Sequence, residues 1–455
     1  METIERVECK RCHMPFERRF IGNNGECVVC HEHRKKWLNR DYDAMGKQLE
    51  SILDYYRQRN RDRKYDAIVA FSGGKDSVYA LHLLKRRFGM RPLAVTADNG
   101  LLTERALRNM KRIVEEVGAD HVIIRRDPEE LRSLYQAFFR KTRNFCEVCY
   151  LTITSALGKA SLEHDVPLLV TGFAFKIDSS HFRAAQRYCF EDAFVRTVRD
   201  EVPEEIYSTY VTKTVRNEQR FHLLHLFDYV NHLEDEIYEV LENQYGWDSA
   251  QRNDKHSDCR FHHMLGYLRW LNNDLTSLAL MTPAALLRDG QIDEERFREM
   301  LERDRDTFQR IERAQLEDFL DYFGVDEQFL TTPLQSVQLA DPVIDPHAFE
   351  AITEARRNPA TTERQLIEML LDIVRPEVHR DGGDIEFVSL SGQLLKLRLV
   401  GACRGCMIGD QVMMRYLESL VRRYISPDIV IEHEKELAPP SDSIVDIRPA
   451  RRVEA

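Results

Sequence analysis

Apolar residues cluster along the middle of the chain in short runs separated by stretches of helical period. DAIVAF (66–71), RPLAVTAD (91–98), DHVIIRR (120–126) and VPLLVTGF (166–173) are rich in Val, Ile and Leu, and they read as buried strands. Each is followed by a helical pattern, so residues 65–200 predict an α/β domain built on a doubly wound parallel sheet. Residues 34–64 read as one charged helix carrying Trp37, Leu49, Ile52, Leu53 and Tyr56. Residues 201–330 are mostly helical by pattern, as in IDEERFREMLERD (292–304). TTPLQSVQLADPVIDP (331–346) carries proline and no period, which makes 331–360 a linker. Residues 361–432 predict a small α+β unit. It has a helix from about Thr361 to Val374, two strands within 384–401 and a second helix after Cys406. From His433 the chain is charged, contains APPSDS and reads as a disordered tail. Residues 1–33 are compact and cysteine-rich, and no fixed-period repeat is present.

Length and charge narrow this picture. A chain of 455 residues exceeds one ordinary core. It is 43% hydrophobic and 31% charged, and apolar runs such as Val166–Val170 are far too short to span a bilayer. Charged residues and cysteines begin almost at once, the pattern expected of a cytoplasmic chain without a leader. The net charge of −11 argues against indiscriminate nucleic-acid binding. RKKWLNR (34–40) and RQRNRDRK (57–64) are nevertheless basic, either as solvated helix faces or as a patch for an RNA backbone. Of ten cysteines, eight form four Cys-x-x-Cys pairs. In a reducing compartment such pairs are metal ligands or redox groups rather than disulfides.

SGGKDS (72–77) lies where the first strand feeds a helix. Gly73 and Gly74 permit a tight turn close to an anion, and the helix start supplies the dipole that anions prefer. Lys75 adds charge, and Asp76 is placed to hold Mg2+. The loop is not G-x-x-x-x-G-K-[ST], which disfavours a Walker-type NTPase. Ser-Gly-Gly-x-Asp-Ser after a strand resembles the signature of the PP-loop ATP pyrophosphatases, over about residues 65–200. That resemblance implies that Ser72, Gly73, Gly74, Lys75, Asp76 and Ser77 bind the phosphates of ATP. It places Asp98, in TADNG (96–100), near adenosine and makes Gly172, in TGFAF (171–175), a second glycine loop. It implies adenylation of a substrate oxygen followed by displacement of AMP. The plain alternative is a strand–turn–helix with a chance Gly-Gly.

Cys9-x-x-Cys12 and Cys27-x-x-Cys30 have the spacing of a zinc ribbon, in which four thiolates surround structural Zn2+. His13, His31 and His33 lie nearby and are read as surface residues. The order of ribbon, phosphate loop and GMRPLAVTADN resembles the N-acetyl sugar amidotransferases, as does YGWDSAQRNDKHSDCRFHHMLGYLRW (245–270). This resemblance spans about residues 5–305. The order also resembles PP-loop tRNA thiolases that carry a zinc ribbon.

NFCEVCYLTITSALGKA (144–160) puts Cys146 and Cys149 before a helix, whose amino terminus is expected to lower thiol pKa. The sugar amidotransferases offer no counterpart. The iron–sulfur-dependent thiolases do, and similarity to them implies a [4Fe–4S] cluster held by this pair and one distant cysteine. Cys259 in SDCRF is the first choice and Cys189 in RYCFE the rival. A zinc half-site or a redox pair would use the same two cysteines, and spacing does not separate iron from zinc.

RPEVHRDGGDIEFVSLSGQLLKLRLVGACRGCMIGDQVMM (375–414) resembles the NifU-type iron–sulfur scaffold domain. The resemblance makes Cys403 and Cys406 cluster ligands, shared across a homodimer; a structural zinc pair is the other reading. The family usually continues with proline and serines where this chain has MIGD.

Together these features predict an adenylating sulfurtransferase that forms AMP and pyrophosphate, with Lys75, Asp76, Cys146, Cys149 and Cys259 at its centre. The substrate is a tRNA or a small molecule such as a sugar, and a cysteine desulfurase or another donor supplies sulfur. An ammonia-using amidotransferase and an iron–sulfur assembly or carrier protein are the alternatives.

Overall fold

The computed structural model describes residues 6–18, 21–177, 191–210, 221–247, 258–271, 278–332, 346–380, 383–401 and 413–434. At the amino terminus Arg6–Glu8 (β1) and Pro15–Glu17 (β2) pair antiparallel, and Val28–His33 (α1) follows. Met14, Phe16 and Ile21 pack with Met281, Ala284 and Phe297 of the helices Leu278–Asp289 and Glu294–Gln309. The ribbon is thus seated on a region far along the chain.

The charged segment that follows is not one helix. A π-helical turn over Arg34–Leu38 ends at Asn39, and a new helix, Tyr42–Arg59 (α2), begins. Asp41 restarts it, its carboxylate accepting from Ala44 N at 2.9 Å. Leu49, Ile52, Leu53 and Tyr56 of α2 are buried against the central sheet's helices.

The central sheet contains Ala67–Ala70 (β3), Pro92–Asp98 (β4), Asp120–Arg125 (β5), Leu168–Thr171 (β6) and His222–His225 (β7). Its order is β5-β4-β3-β6-β7, and every pairing is parallel. Lys75–His82 (α3), Glu104–Val117 (α4), Pro128–Thr142 (α5) and Cys146–His164 (α6) connect the strands. This is a doubly wound α/β fold. The chain order reverses between β3 and β6, which opens a crevice at their carboxyl ends. The fifth strand lies in a stretch whose pattern reads as helical. Leu223 and Leu224 are buried there by pairing with β6, a long-range contact that outweighs local pattern.

A second core joins α5 to the helix Arg313–Phe323. Phe319 and Phe323 have ring centroids 4.4 Å apart, and Phe139 lies 4.5 Å from Phe323 and 5.4 Å from Phe319. Phe145, which precedes α6, packs into the same cluster.

In the carboxy-terminal unit the helix Glu363–Arg380 runs through Pro376, beyond the end expected at Val374. Ile367, Leu370, Leu371, Val374 and Val378 form one buried stripe, and that burial carries the helix past the proline. Gly383–Ser391 (β8) and Leu394–Gly401 (β9) pair antiparallel. A third strand, Val430–His433 (β10), adds parallel to β9, so the segment read as a tail begins inside the sheet. Among the described residues no helix is long and apolar enough to cross a membrane.

Phe319→Ala should remove the centre of the aromatic core and destabilise the chain by about 3–5 kcal/mol. A lowered urea midpoint, followed by circular dichroism, is the readout.

Candidate functional site

The phosphate loop occupies the crevice between β3 and β6. Gly73 has φ +77°, a backbone that side chains rarely adopt, and a Cβ there would lie 2.8 Å from Met110. Ser77 Oγ donates to Gly74 O at 2.9 Å and accepts from Ser72 N at 3.2 Å, while Gly74 N donates to Ser72 Oγ at 3.3 Å. The two serines therefore shape the turn internally. Gly74 stands at the N-cap of α3 without a side-chain cap, which leaves the helix start suited to an anion. Trp247 Nε1 donates to Gly73 O at 3.4 Å. Gly172 explains itself from across the crevice: a Cβ there would stand 2.6 Å from Asp76 O and 3.0 Å from Ser77 N. Only glycine permits this approach of the two backbones. The cradle fits a polyphosphate.

Lys75 is 4% exposed, and its Nζ lies 2.7 Å from Asp76 Oδ1 and 2.8 Å from Glu234 Oε1. Burial works against the ammonium, but the two carboxylates outweigh it and hold its pKa above the ordinary value. Burial likewise opposes the Asp76 carboxylate, and Lys75 with His232 holds it well below the usual range. His232 Nε2 sits 2.7 Å from Asp76 Oδ1. Asp76 keeps an open face, 29% exposed, suited to Mg2+. His232 and Glu234 carry no sequence motif; the nearest signal is the acidic first turn of the helix Glu234–Tyr245. Asp98, at the end of β4, meets Arg125 Nε at 3.3 Å and accepts from Gly100 N at 3.2 Å.

The four amino-terminal cysteines converge. Cys9, Cys12, Cys27 and Cys30 are fully buried, with sulfurs within 4.8 Å of one another. Cys9–Cys30 and Cys12–Cys27 are each 3.8 Å apart. Metal–sulfur bonds of about 2.3 Å give a tetrahedron with edges of about 3.8 Å. The set fits Zn2+, and Cys27 N and Cys30 N donate to Cys9 Sγ and Cys27 Sγ at 3.2 and 3.4 Å.

The second sulfur site is looser. Leu102 and Cys259 form an antiparallel bridge, with Thr103 N donating to Asp258 O at 2.9 Å and Arg260 N to Leu101 O at 2.8 Å. This pins Cys259 beside the loop after β4. In that loop Asn99 Nδ2 donates to Cys149 Sγ at 3.0 Å. Cys146 opens α6, its N–H bonded to Asn144 Oδ1 at 2.8 Å. Tyr135 is fully buried, and its hydroxyl has no hydrogen-bond partner among the described residues. Burial, followed by the nearby Cys149, Tyr322, Cys259 and Cys146, raises its pKa well above 10. An orphaned hydroxyl among three sulfurs fits a bound acceptor such as a sulfide-bearing cluster. Tyr135 and Asn99 escape sequence reasoning because neither belongs to a motif.

The thiols here correct one expectation. Cys149 retains some surface, yet protein surrounds it densely, and burial pushes its thiol up to about 12 despite the helix start and Asn99. Burial, then Cys149, does the same to Cys259, also to about 12. Desolvation outweighs the helix dipole, so a free reactive thiolate is disfavoured, and a metal is what would drive the protons off. Cys189, Cys403 and Cys406 lie outside the described residues.

Two outcomes test this geometry. Gly172→Ala should lower stability by about 1–3 kcal/mol through overpacking, seen as a lower urea midpoint, and weaken nucleotide binding in calorimetry. In the metal-free protein, alkylation of Cys149 by iodoacetamide should be slow near pH 8. It should rise roughly tenfold per pH unit towards pH 11 as thiolate forms, with peptide mass spectrometry as the readout.

Comparison with known proteins divides along the chain. An uncharacterized protein of Methanocaldococcus jannaschii is 29% identical over 180 residues, 39% of this chain and 62% of that protein. The chain therefore spans less than two thirds of that relative's length. The U34-tRNA thiolase NcsA from Methanococcus maripaludis, solved with its [4Fe-4S] cluster, aligns over 74% of this chain and 98% of its own at 14% identity and a TM-score of 0.30. A likeness that distant leaves activity to the residues themselves. Nitrogen fixation protein NifU 2 of Rhodobacter capsulatus is 30% identical over 103 residues, 23% of this chain and 68% of that protein. The NifU-like domain family matches residues 367–432, the helix and three-stranded sheet described above, and through this domain the chain belongs to the NifU-like family.

Proposed function

We propose that the chain is an ATP-dependent sulfurtransferase that adenylates a substrate oxygen and replaces it with sulfur. One observation carries the reading: the phosphate loop and the Cys146–Cys149–Cys259 group both stand at the carboxyl ends of β3, β4 and β6, in a chain that also holds a NifU-like domain. Ser72, Gly73, Gly74, Lys75 and Ser77 hold the phosphates of ATP, and Asp76 holds Mg2+. Lys75 and the loop amides stabilise the charge that builds on pyrophosphate as the α-phosphate passes to the substrate oxygen. The oxygen, a poor leaving group by itself, then departs as AMP when sulfur attacks the adjoining carbon.

Cys146, Cys149 and Cys259 would hold a [4Fe–4S] cluster, which would supply the sulfur. Asn99 orients Cys149 for that role, and the buried Tyr135 hydroxyl would be available as a donor to the bound group. Zn2+ at the four amino-terminal cysteines is structural. The NifU-like domain, through Cys403 and Cys406, recharges or repairs the catalytic site. The substrate class favoured is tRNA, on the basic stretches 34–40 and 57–64 of an otherwise acidic chain. A homodimer and a cysteine desulfurase complete the proposed assembly.

The test uses the full chain with Cys403→Ser and Cys406→Ser, purified and reconstituted with iron and sulfide without oxygen. About four irons and four acid-labile sulfides per chain, lost in Cys146→Ala, are expected. Zinc alone would overturn the sulfur-transfer reading and leave an ammonia-using amidotransferase or a cluster carrier.

A further inference from the structure

A line of polar contacts leads away from the phosphate loop and ends in the ribbon. His232, whose Nε2 meets Asp76, offers its backbone carbonyl to Gln291 Nε2 at 3.0 Å. Gln291 Nε2 also donates to Asp289 Oδ2 at 2.8 Å, and its Oε1 accepts from Glu234 N at 2.8 Å. Asp289 Oδ1 lies 2.7 Å from Nε2 of His33. His33 ends α1, the helix that carries the metal-site residue Cys30. Lys176 Nζ braces the line from the side, 2.7 Å from both Asp289 Oδ2 and Asn231 Oδ1. His33, Asp289, Lys176, His232 and Glu234 are all buried.

The ribbon end of this line is electrostatically matched to a filled metal site. Arg288, adjacent to Asp289, is 1% exposed, and its Nε and Nη1 have no hydrogen-bond partner among the described residues. Arg288 lies close enough to Cys12 for its cation to act on that sulfur. Four thiolates around a divalent ion leave a net charge of about −2, and a buried guanidinium with unused donors suits that charge. Arg11 Nη2, beside Cys12, closes the joint by donating to Arg288 O at 2.9 Å. Neighbouring residues at one helix end therefore serve two centres: Arg288 the sulfurs, Asp289 the line to the loop.

Within the line each member contacts the next. The segment Asn231–Glu234 is fastened by Lys176 and Gln291, and both of those are tied to Asp289. Asp289 in turn is tied to the ribbon by His33. His232 also stands edge-on to the buried ring of Phe227, with centroids 4.8 Å apart, and Glu234 reaches Lys75, so the ribbon end adds a tie to a segment that these contacts already seat beside Asp76.

We infer that the amino-terminal metal site sets the nucleotide loop: His33, Asp289, Gln291 and His232 are positioning residues that hold the Asp76 carboxylate for Mg2+ and ATP. This rests on the reading of the loop as an ATP site. The ribbon is then part of the nucleotide machinery, and His33 is its point of contact.

The test uses the zinc-loaded full chain. Trp247, bonded to Gly73 O, reports on the loop by fluorescence, and calorimetry gives ATP affinity across a Mg2+ titration. His33→Ala should keep one zinc per chain and raise the Mg2+ needed for half-maximal ATP binding about tenfold, the usual scale for groups that orient a ligand. Binding of ATP without Mg2+ should be unchanged. His33→Gln, whose amide can reach Asp289, should recover most of the loss. Gln291→Ala, remote from the sulfurs, should reproduce the His33→Ala shift and covers the case in which that variant loses zinc or fails to fold. Wild-type Mg2+ dependence in Gln291→Ala and in a folded His33→Ala overturns the inference alone. So does an equal loss with and without Mg2+ accompanied by a lower melting temperature, which marks a mere brace. No nucleotide binding by the wild-type protein overturns the ATP reading and the inference together.

Discussion

A lysine with almost no access to water survives only among carboxylates, and the arrangement around Lys75 follows from that requirement. Its ammonium is held by Asp76 from its own helix and by Glu234 from a helix that starts far along the chain. Asp76 is in turn held by His232. The loop is thus a charge cluster assembled from two separate stretches of sequence, and Gly172 locks it by bringing a third backbone to within contact of Asp76. Each part of the crevice has a reason in the others. The positive φ at Gly73 turns the chain, the small residue at Gly172 lets the turn be covered, and the buried charges keep the turn from relaxing.

The two sulfur sites differ in physical state, and the difference bears on what each can do. The amino-terminal four have tetrahedral spacing and are fully buried, so the site is closed. Cys149 and Cys259 have thiols raised to about 12, and with Cys146 they lie near enough to the buried Tyr135 to act on its hydroxyl. Burial there disfavours thiolate in the absence of a metal. A closed four-thiolate site suits a structural metal.

Much of this was legible in the chain, and the exceptions share a cause. Four of the five central strands, the phosphate loop and the amino-terminal cysteine set announce themselves through local runs and fixed spacing. His222–His225 does not, because its burial comes from pairing with β6 rather than from its own alternation. The break at Asn39 hangs on Asp41 capping the next helix, a weak local signal inside a charged stretch. β10 left a trace in Ile429, Val430 and Ile431, overshadowed by the polar segment beyond. His33 reads as one of several exposed histidines near the ribbon, yet it is buried against Asp289, a residue more than two hundred positions away. His232, Glu234, Asn99 and Tyr135 belong to no motif. Their importance is created by what the fold sets beside them, and single-sequence patterns carry no record of such pairings.

The bridge between Leu102 and Cys259 has a consequence for how the protein is made. Chains emerge from the ribosome amino terminus first and begin to fold as they lengthen. The parallel strands β3 to β6 are complete well before Cys259 is synthesised, and so are the phosphate loop and the Cys146–Cys149 pair. Glu234, His232 and Cys259 arrive later, and Asp289 later still. A nascent chain therefore holds the loop and two of the sulfurs before the side chains that the fold sets beside them exist, and those contacts close only when the distal part of the sequence arrives.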